Sequence, residues 1–73
     1  MNAPLRIMGI DPGTNYMGYG VIEIRGGKPQ ALVMGEIDMH KIKDAHQKLA
    51  YIFERVRNLA ETYLPAEVAF ESP

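Results

Sequence analysis

Apolar runs alternate with short turns along the first half of the chain, and this pattern predicts three β-strands. Leu5–Asp11 is a nearly continuous apolar run, typical of a central strand buried on both faces. Tyr16–Arg25 is rich in Tyr, Val and Ile and follows after only a short turn. Gly26-Gly27 is a second hairpin signal and precedes the third strand, Gln30–Met39. We therefore predict an antiparallel three-stranded meander.

Two features of the second and third strands predict which faces are covered. Period-two geometry places Gly18 and Gly20 on one face of the second strand. A face without side chains admits either a ligand or a closely packed helix, and we expect the helix. The third strand alternates between apolar and polar positions, which is typical of a strand near the sheet edge with one face in solvent. The apolar set is Ala31, Val33, Ile37 and Met39, and the polar set is Gln30, Glu36 and Asp38.

The hydrophobic spacing then changes to three and four residues, which predicts a helix over Asp44–Tyr63. The positions that share one helical face are Leu49, Ile52, Phe53, Val56, Leu59, Ala60 and Tyr63. Asp44 and Gln47 resemble a capping box, and Pro65 ends the helix. Ala66–Glu71 has the character of a fourth strand, and a crossover through the helix makes it parallel to the third.

These connections predict the order of strands in the sheet. Two successive hairpins make the third strand parallel to the first, and the crossover makes the fourth parallel to both. We expect a mixed α/β sheet in the order 3-2-1-4, in which the carboxyl ends of strands one and four adjoin. Open α/β sheets bind ligands at such ends. Asp11 and Glu71 occupy these two ends, and we expect their carboxyl groups within roughly 8 Å of each other.

Asp11 has two interpretations. Asp11-Pro12-Gly13 contains the residues of a tight turn, with Pro fixing φ at one corner and Gly accepting positive φ at the next. Asp is also disfavoured in strands, and a carboxylate that follows an apolar run should lie half buried, where it needs hydrogen bonds or a cation. Glu71 by itself is better explained as an exposed carboxylate at a strand end.

The pair of carboxylates is more informative than either member. Carboxylates at adjacent strand ends repel each other unless they are protonated or bridged by a cation. Mg²⁺ is commonly held by one or two carboxylates together with phosphate oxygens. Asp11 and Glu71 therefore favour a magnesium site and phosphoryl chemistry.

The composition is typical of a small globular unit. The chain has 73 residues, 47% of them hydrophobic, and its net charge of −1 lacks the basic excess of a nucleic-acid-binding domain. Because it stops directly after a strand-like run, we expect it to be the front part of a longer protein. The absence of cysteine, of a signal peptide and of a long apolar run predicts a soluble cytoplasmic protein.

Other polar and aromatic residues are explained without a role in chemistry. The cationic group of His40, Lys41, Lys43 and His46 shows no metal-ligand pattern and is typical of a solvated connection. Two strand tyrosines, Tyr16 and Tyr19, could stack on bases, but packing against neighbours is the expected use. Turn chemistry accounts for Thr14 and Asn15.

Three segments together resemble the start of the RuvC-type Holliday junction resolvases. They are Gly9-Ile10-Asp11-Pro12-Gly13-Thr14, Gly18-Tyr19-Gly20-Val21-Ile22 and Ala69-Phe70-Glu71, which occur in the right order and at suitable spacing. The first segment alone also resembles sugar kinases and other actin-like ATPases, which use this turn to hold ATP phosphates. The resemblance to the resolvases covers essentially the whole chain.

The resemblance implies a ribonuclease H-like fold and a homodimer that cuts four-way DNA junctions with Mg²⁺ or Mn²⁺. It also implies the branch-migration machinery as a partner. Asp11 matches the family's first catalytic aspartate and Glu71 its catalytic glutamate, both as metal ligands, whereas two further catalytic aspartates would follow Pro73. Residues 1–73 would then be the N-terminal portion of a single nuclease domain, inactive by itself. An ATP-binding part of an actin-like kinase and a non-catalytic ribonuclease H-like module are the alternatives.

Overall fold

The computed structural model describes residues 3–71, which form one four-stranded sheet with a helix on one face. The elements in chain order are β1 (Leu5–Asp11), β2 (Tyr16–Arg25), β3 (Lys28–Asp38), α1 (Ala45–Tyr63) and β4 (Glu67–Phe70). The predicted elements are all present. β3 begins two residues earlier than predicted, and β4 is shorter by one residue at each end.

The predicted topology is confirmed. The strand order is β3-β2-β1-β4, with β1 antiparallel to β2, β2 antiparallel to β3, and β1 parallel to β4. The β2–β3 ladder contains an irregularity that the alternation did not predict: Val21 pairs with Val33 while Ile22 pairs with Ala31. Leu32 is therefore an extra residue in β3, as in a β-bulge.

The core lies between the sheet and α1. It consists of residues that are at most 2% exposed, namely Met8, Ile10, Met17, Val21 and Ile37 of the sheet and Met39 directly after β3. Ile52, Val56 and Leu59 of α1 pack against this cluster, as the helical spacing predicts. The same spacing misplaces Leu49 and Phe53, which are each 66% exposed.

The other face of the sheet is open in the part of the chain that the structure describes. Met34 on this face is 76% exposed, and Ile22 is also exposed. The prediction that β1 is buried on both faces is therefore wrong for residues 3–71. The expected reason for Gly18 and Gly20 is wrong as well, because the strand directs Tyr19 toward the helix and the two glycines toward the open face.

Both ends of α1 are closed by hydrogen bonds. The Asp44 carboxylate accepts from the backbone N–H of Gln47 at 2.9 Å, which is the predicted N-cap. Leu64 adopts the left-handed region with φ of 50° and donates its N–H to Ala60 O. The described residues contain no helix long and apolar enough to cross a membrane.

An ion-pair network lies at the amino end of β1. The Arg6 guanidinium donates to Glu23 at 2.9 Å and to the Tyr63 carbonyl at 2.8 Å, so it links the sheet to the last turn of the helix. Glu23 is 6% exposed and also accepts from Arg25. The hydrogen bond from Arg6 holds the pKa of Glu23 below its ordinary value, against the opposing effect of burial.

Candidate functional site

An open cleft of about 490 Å³ lies on the helix-free side of the sheet, at the carboxyl ends of β1 and β4. Five of its eleven lining residues are glycine or alanine. The lining consists of Gly9, Ile10, Asp11, Gly18, Tyr19, Gly20, Met34, Gly35, Ala69, Phe70 and Glu71. The cleft therefore lies at the carboxyl ends of β1 and β4, where the sequence predicted a ligand site.

Asp11 is the last residue of β1 and pairs with Gly18 of β2. Its side chain lies over that glycine, because a Cβ on Gly18 would stand 3.5 Å from Asp11 Cβ and 4.0 Å from its Oδ2. Asp11 is exposed, so the prediction of a half-buried carboxylate is wrong. The reason is the uncovered face of the sheet, onto which the end of β1 directs this side chain.

Glu71 directly follows β4, and its backbone N–H donates to Ile10 O at 2.9 Å. This hydrogen bond continues the parallel β1–β4 ladder by one residue and brings Glu71 beside the end of β1. The structure thus places both predicted carboxylates, Asp11 and Glu71, on the same cleft. Their separation and their chemical role stay predictions.

The donor set of the cleft was compared with what a metal ion requires. Within residues 3–71, no three metal-ligating side chains are clustered. Asp11 and Glu71 supply two carboxylates, both exposed on the cleft lining. Oxygen donors of this kind suit Mg²⁺, which keeps several waters and takes one or two carboxylates plus substrate phosphates. The residues present therefore fit a metal ion that is shared with a phosphate ligand.

The turn after Asp11 is held by the segment that joins β3 to α1. The carbonyl of Asn15 accepts from Met39 N at 2.7 Å, and the carbonyl of Thr14 accepts from Lys48 Nζ at 3.1 Å. Thr14 and Asn15 thus both accept hydrogen bonds through their backbone carbonyls. The Tyr16 ring stacks on His40 with centroids 6.2 Å apart and planes inclined by 24°.

Tyr19 and His40, which the sequence analysis also considered, make packing contacts and hydrogen bonds within the chain. Tyr19 packs against the core and over Gly35, where a Cβ would stand 2.6 Å from the tyrosine hydroxyl. Packing is thus the observed use of Tyr19, as predicted. Asp38 accepts from the backbone N and the ring Nδ1 of His40, and these bonds hold the pKa of Asp38 below its ordinary value.

Sequence reasoning missed two residues near the cleft. Met34 lines the cleft. The sequence could have identified it, because Met34 is an apolar residue on the same strand face as Glu36 and Asp38, the face predicted to be in solvent. Lys48 donates to the turn after Asp11. The sequence could have indicated this contact, because Lys48 lies in the first turn of a helix that begins at the end of the sheet where β1 and β3 finish.

Strand order and connections define the class of protein. A mixed sheet in the order β3-β2-β1-β4, with a parallel β4 reached through one helix, is the opening of a ribonuclease H-like α/β fold. A family model described as "Crossover junction endodeoxyribonuclease RuvC" matches residues 7–72. The chain belongs to this family.

Relatives of known sequence agree with the assignment. The chain is 49% identical over 67 residues to the crossover junction endodeoxyribonuclease RuvC of Bacteroides fragilis, covering 92% of this chain and 36% of the relative. It is 41% identical over 69 residues to the protein of the same name from Dehalococcoides mccartyi, covering 94% and 42%. The chain therefore spans well under half the length of these relatives.

Solved structures show the same fold. Thermus thermophilus RuvC superposes with a TM-score of 0.83 at 27% identity, covering 93% of this chain and 45% of that one. A structure of the same protein in complex with Holliday junction substrate also has a TM-score of 0.83, at 26% identity, covering 94% and 44%. An Aquifex aeolicus Ppx/GppA family member matches with a TM-score of 0.74 at 14% identity, covering 93% and 26%, which shows the fold alone.

These findings bear on one of the alternatives. The family assignment rests on nearly the whole chain rather than on the turn that sugar kinases share, so it favours the resolvase family over the kinase interpretation. A non-catalytic ribonuclease H-like module has the same fold and differs in activity, which only an experiment separates.

Proposed function

We propose that the complete protein carrying these residues is a metal-dependent endonuclease that cuts four-way DNA junctions during recombination and repair. The observation that carries this proposal is the meeting of Asp11 and Glu71 on one open cleft, in a chain of the RuvC family. The cleft lies on an uncovered sheet face, which a DNA strand can reach.

Asp11 and Glu71 are the residues that would hold the metal, which we propose to be Mg²⁺, with Mn²⁺ as a substitute. When bound between carboxylates and a phosphodiester, such ions supply an activated water and stabilise the departing oxygen. The two side chains therefore serve as ligands rather than as nucleophiles. The glycines at positions 18 and 20 add no side chains of their own beside Asp11, which leaves more room for a phosphate to approach.

Residues 1–73 form, in this proposal, the N-terminal portion of a single nuclease domain. The chain spans 36% to 42% of the two relatives described above. Two carboxylates are fewer than a metal-dependent nuclease site uses by family resemblance, so the 73-residue chain alone is expected to be inactive. The homodimer and an association with branch-migration machinery belong to the same proposal.

The test uses the product of the complete reading frame that carries these residues. It is incubated with a labelled four-way junction and with linear duplex of the same sequence, each in Mg²⁺ and in EDTA. We expect metal-dependent, paired nicks in the junction and little cleavage of the linear duplex. A protein that binds the junction without cutting it under any of these conditions would establish the non-catalytic module instead.

A further inference from the structure

A basic segment lies against the turn that follows Asp11, outside the lining of the cleft. It follows β3 and enters the first turn of α1, and we call Lys41, Lys43 and Lys48 the basic rim. Three contacts hold this segment against the turn that follows Asp11. They are the Met39–Asn15 backbone hydrogen bond, the Lys48–Thr14 hydrogen bond and the stack of His40 on Tyr16. The segment therefore has a defined position relative to residues 14–16.

The rim lysines are not neutralised within residues 3–71. No ammonium group of the three lies within 4.0 Å of a carboxylate there, whereas the arginines at positions 6, 25 and 57 all have carboxylate partners. Lys43 and Lys48 instead donate to backbone carbonyls, at 3.3 Å and 3.1 Å. Lys43 and Lys48 are therefore available to an anion from outside, whereas the charge of Lys41 also contributes to the lowered pKa of Asp38.

The acidic residues of the same segment are already engaged. Asp38 accepts hydrogen bonds from His40, and Asp44 caps the helix through the N–H of Gln47. The amino end of α1 also lies in this segment and contributes the positive end of the helix dipole. Lys41, Lys43 and Lys48 against Asp38 and Asp44 leave this segment with a net charge of +1, near a cleft whose own charged side chains are anionic.

We propose that the basic rim binds the phosphate backbone of a DNA strand whose scissile phosphate occupies the cleft. This inference rests on the proposed function and adds a contact surface to it. Two carboxylates repel a phosphodiester, so cations beside the turn after Asp11 would hold the adjacent phosphates of the strand. Lysine contacts of this kind position the backbone without reading bases, and the rim is expected to act on any sequence.

The chain offers a matched control. Lys28 begins β3 at the opposite end of the sheet and is exposed, as Lys41 and Lys43 are. Lys48 is left unchanged because it also ties the turn after Asp11. The complete protein is prepared as wild type, as the Lys41→Gln/Lys43→Gln double variant and as Lys28→Gln, and the thermal midpoints are compared to confirm folding.

The measurement is affinity for a four-way junction in EDTA at several salt concentrations. Each lost phosphate contact removes about 0.9 from the slope of log K against log salt, so the double variant should lose roughly two units of slope and bind at least tenfold more weakly near 0.1 M salt. Lys28→Gln should match the wild type. Cleavage in Mg²⁺ by Lys28→Gln should match that of the wild type.

The outcomes separate this inference from the proposed function. If the double variant has the wild-type slope and affinity, the inference that the basic rim binds phosphates is overturned, even if the wild type cuts junctions. A wild type that never cuts DNA overturns the nuclease, while the slopes still show whether the rim binds phosphates. An equal loss of slope in Lys28→Gln would show general attraction rather than a defined surface, which also overturns the rim.

Discussion

Glu71 donates its backbone N–H to the carbonyl oxygen of Ile10 at 2.9 Å, and this hydrogen bond sets the second carboxylate beside the first. Ile10 immediately precedes Asp11, so the parallel pairing of β1 and β4 brings together residues from opposite ends of the chain. Neither strand end would form the candidate site without the other. The carboxylates are therefore the first positions to test.

Replacing Asp11 by Asn or Glu71 by Gln in the complete protein should abolish most cleavage. Each change keeps the shape of the side chain and removes one charged metal ligand, so the developing negative charge loses its main stabilisation. We expect a fall of at least about a hundredfold in cleavage rate with Mg²⁺. Junction affinity at fixed salt should be retained or increased, because an anion near the phosphates is removed.

Glu36→Gln is the control for this experiment, since Glu36 is an exposed carboxylate of β3 outside the cleft lining. It should cleave like the wild type. Near-normal cleavage by either Asp11→Asn or Glu71→Gln would remove that residue from the catalytic site. Equal affinity for linear duplex and for the four-way junction would count against the junction as substrate.

Acid should remove the stabilising contribution of Glu23. Arg6 lowers the pKa of this carboxyl in the folded state from its ordinary value of 4.5, so its contribution is present above that value and is lost as the pH falls through the lowered pKa. Glu23→Gln should therefore reduce the thermal midpoint at pH 7. The difference from wild type should shrink progressively as the pH falls below about 4.5.

Glu54→Gln is the comparison for Glu23, because its partner Arg57 and Glu54 itself are both exposed. Exposed pairs contribute roughly 0 to 1 kcal/mol, so this change should have little effect at any pH. A constant difference between Glu23→Gln and wild type from pH 7 down to pH 3 would contradict the assigned ion pair.

Two methionines should respond very differently to truncation. Met8 is fully buried under α1, whereas Met34 is 76% exposed on the open face. Met8→Ala in the complete protein should cost about 2–5 kcal/mol in the free energy of unfolding, through lost burial and a cavity. Met34→Ala should stay within roughly 0.5 kcal/mol. Urea unfolding followed by circular dichroism measures both, and similar losses would contradict the described core.

The 73-residue chain by itself should self-associate. β4 is the edge of the sheet in the described residues, and all of its residues are exposed, with Phe70 at 68%. An uncovered strand edge with apolar side chains is a template for pairing with another chain. Light scattering during size exclusion should show a mass that increases with concentration, and Phe70→Lys should reduce it. A monodisperse monomer that unfolds cooperatively would be the contrary result.

Local pattern determined most of the architecture. Period-two alternation, two hairpin signals and the change to helical spacing are properties of neighbouring residues, so they predicted four strands, one helix and the order 3-2-1-4. The placement of Asp11 and Glu71 at one edge follows from the same rules, because a crossover through one helix makes β4 parallel. The motif segments added the family.

Only the tertiary structure decided which surfaces are covered. The sequence allows Gly18 and Gly20 to face either a helix or open space, and the structure shows them on the open face. Leu49 has the same helical spacing as the core positions of α1, but its side chain is exposed. Asp11 is exposed for the same reason, since burial depends on what packs above a strand and not on the strand's own residues. The link from Lys48 to Thr14 joins segments that no local pattern connects.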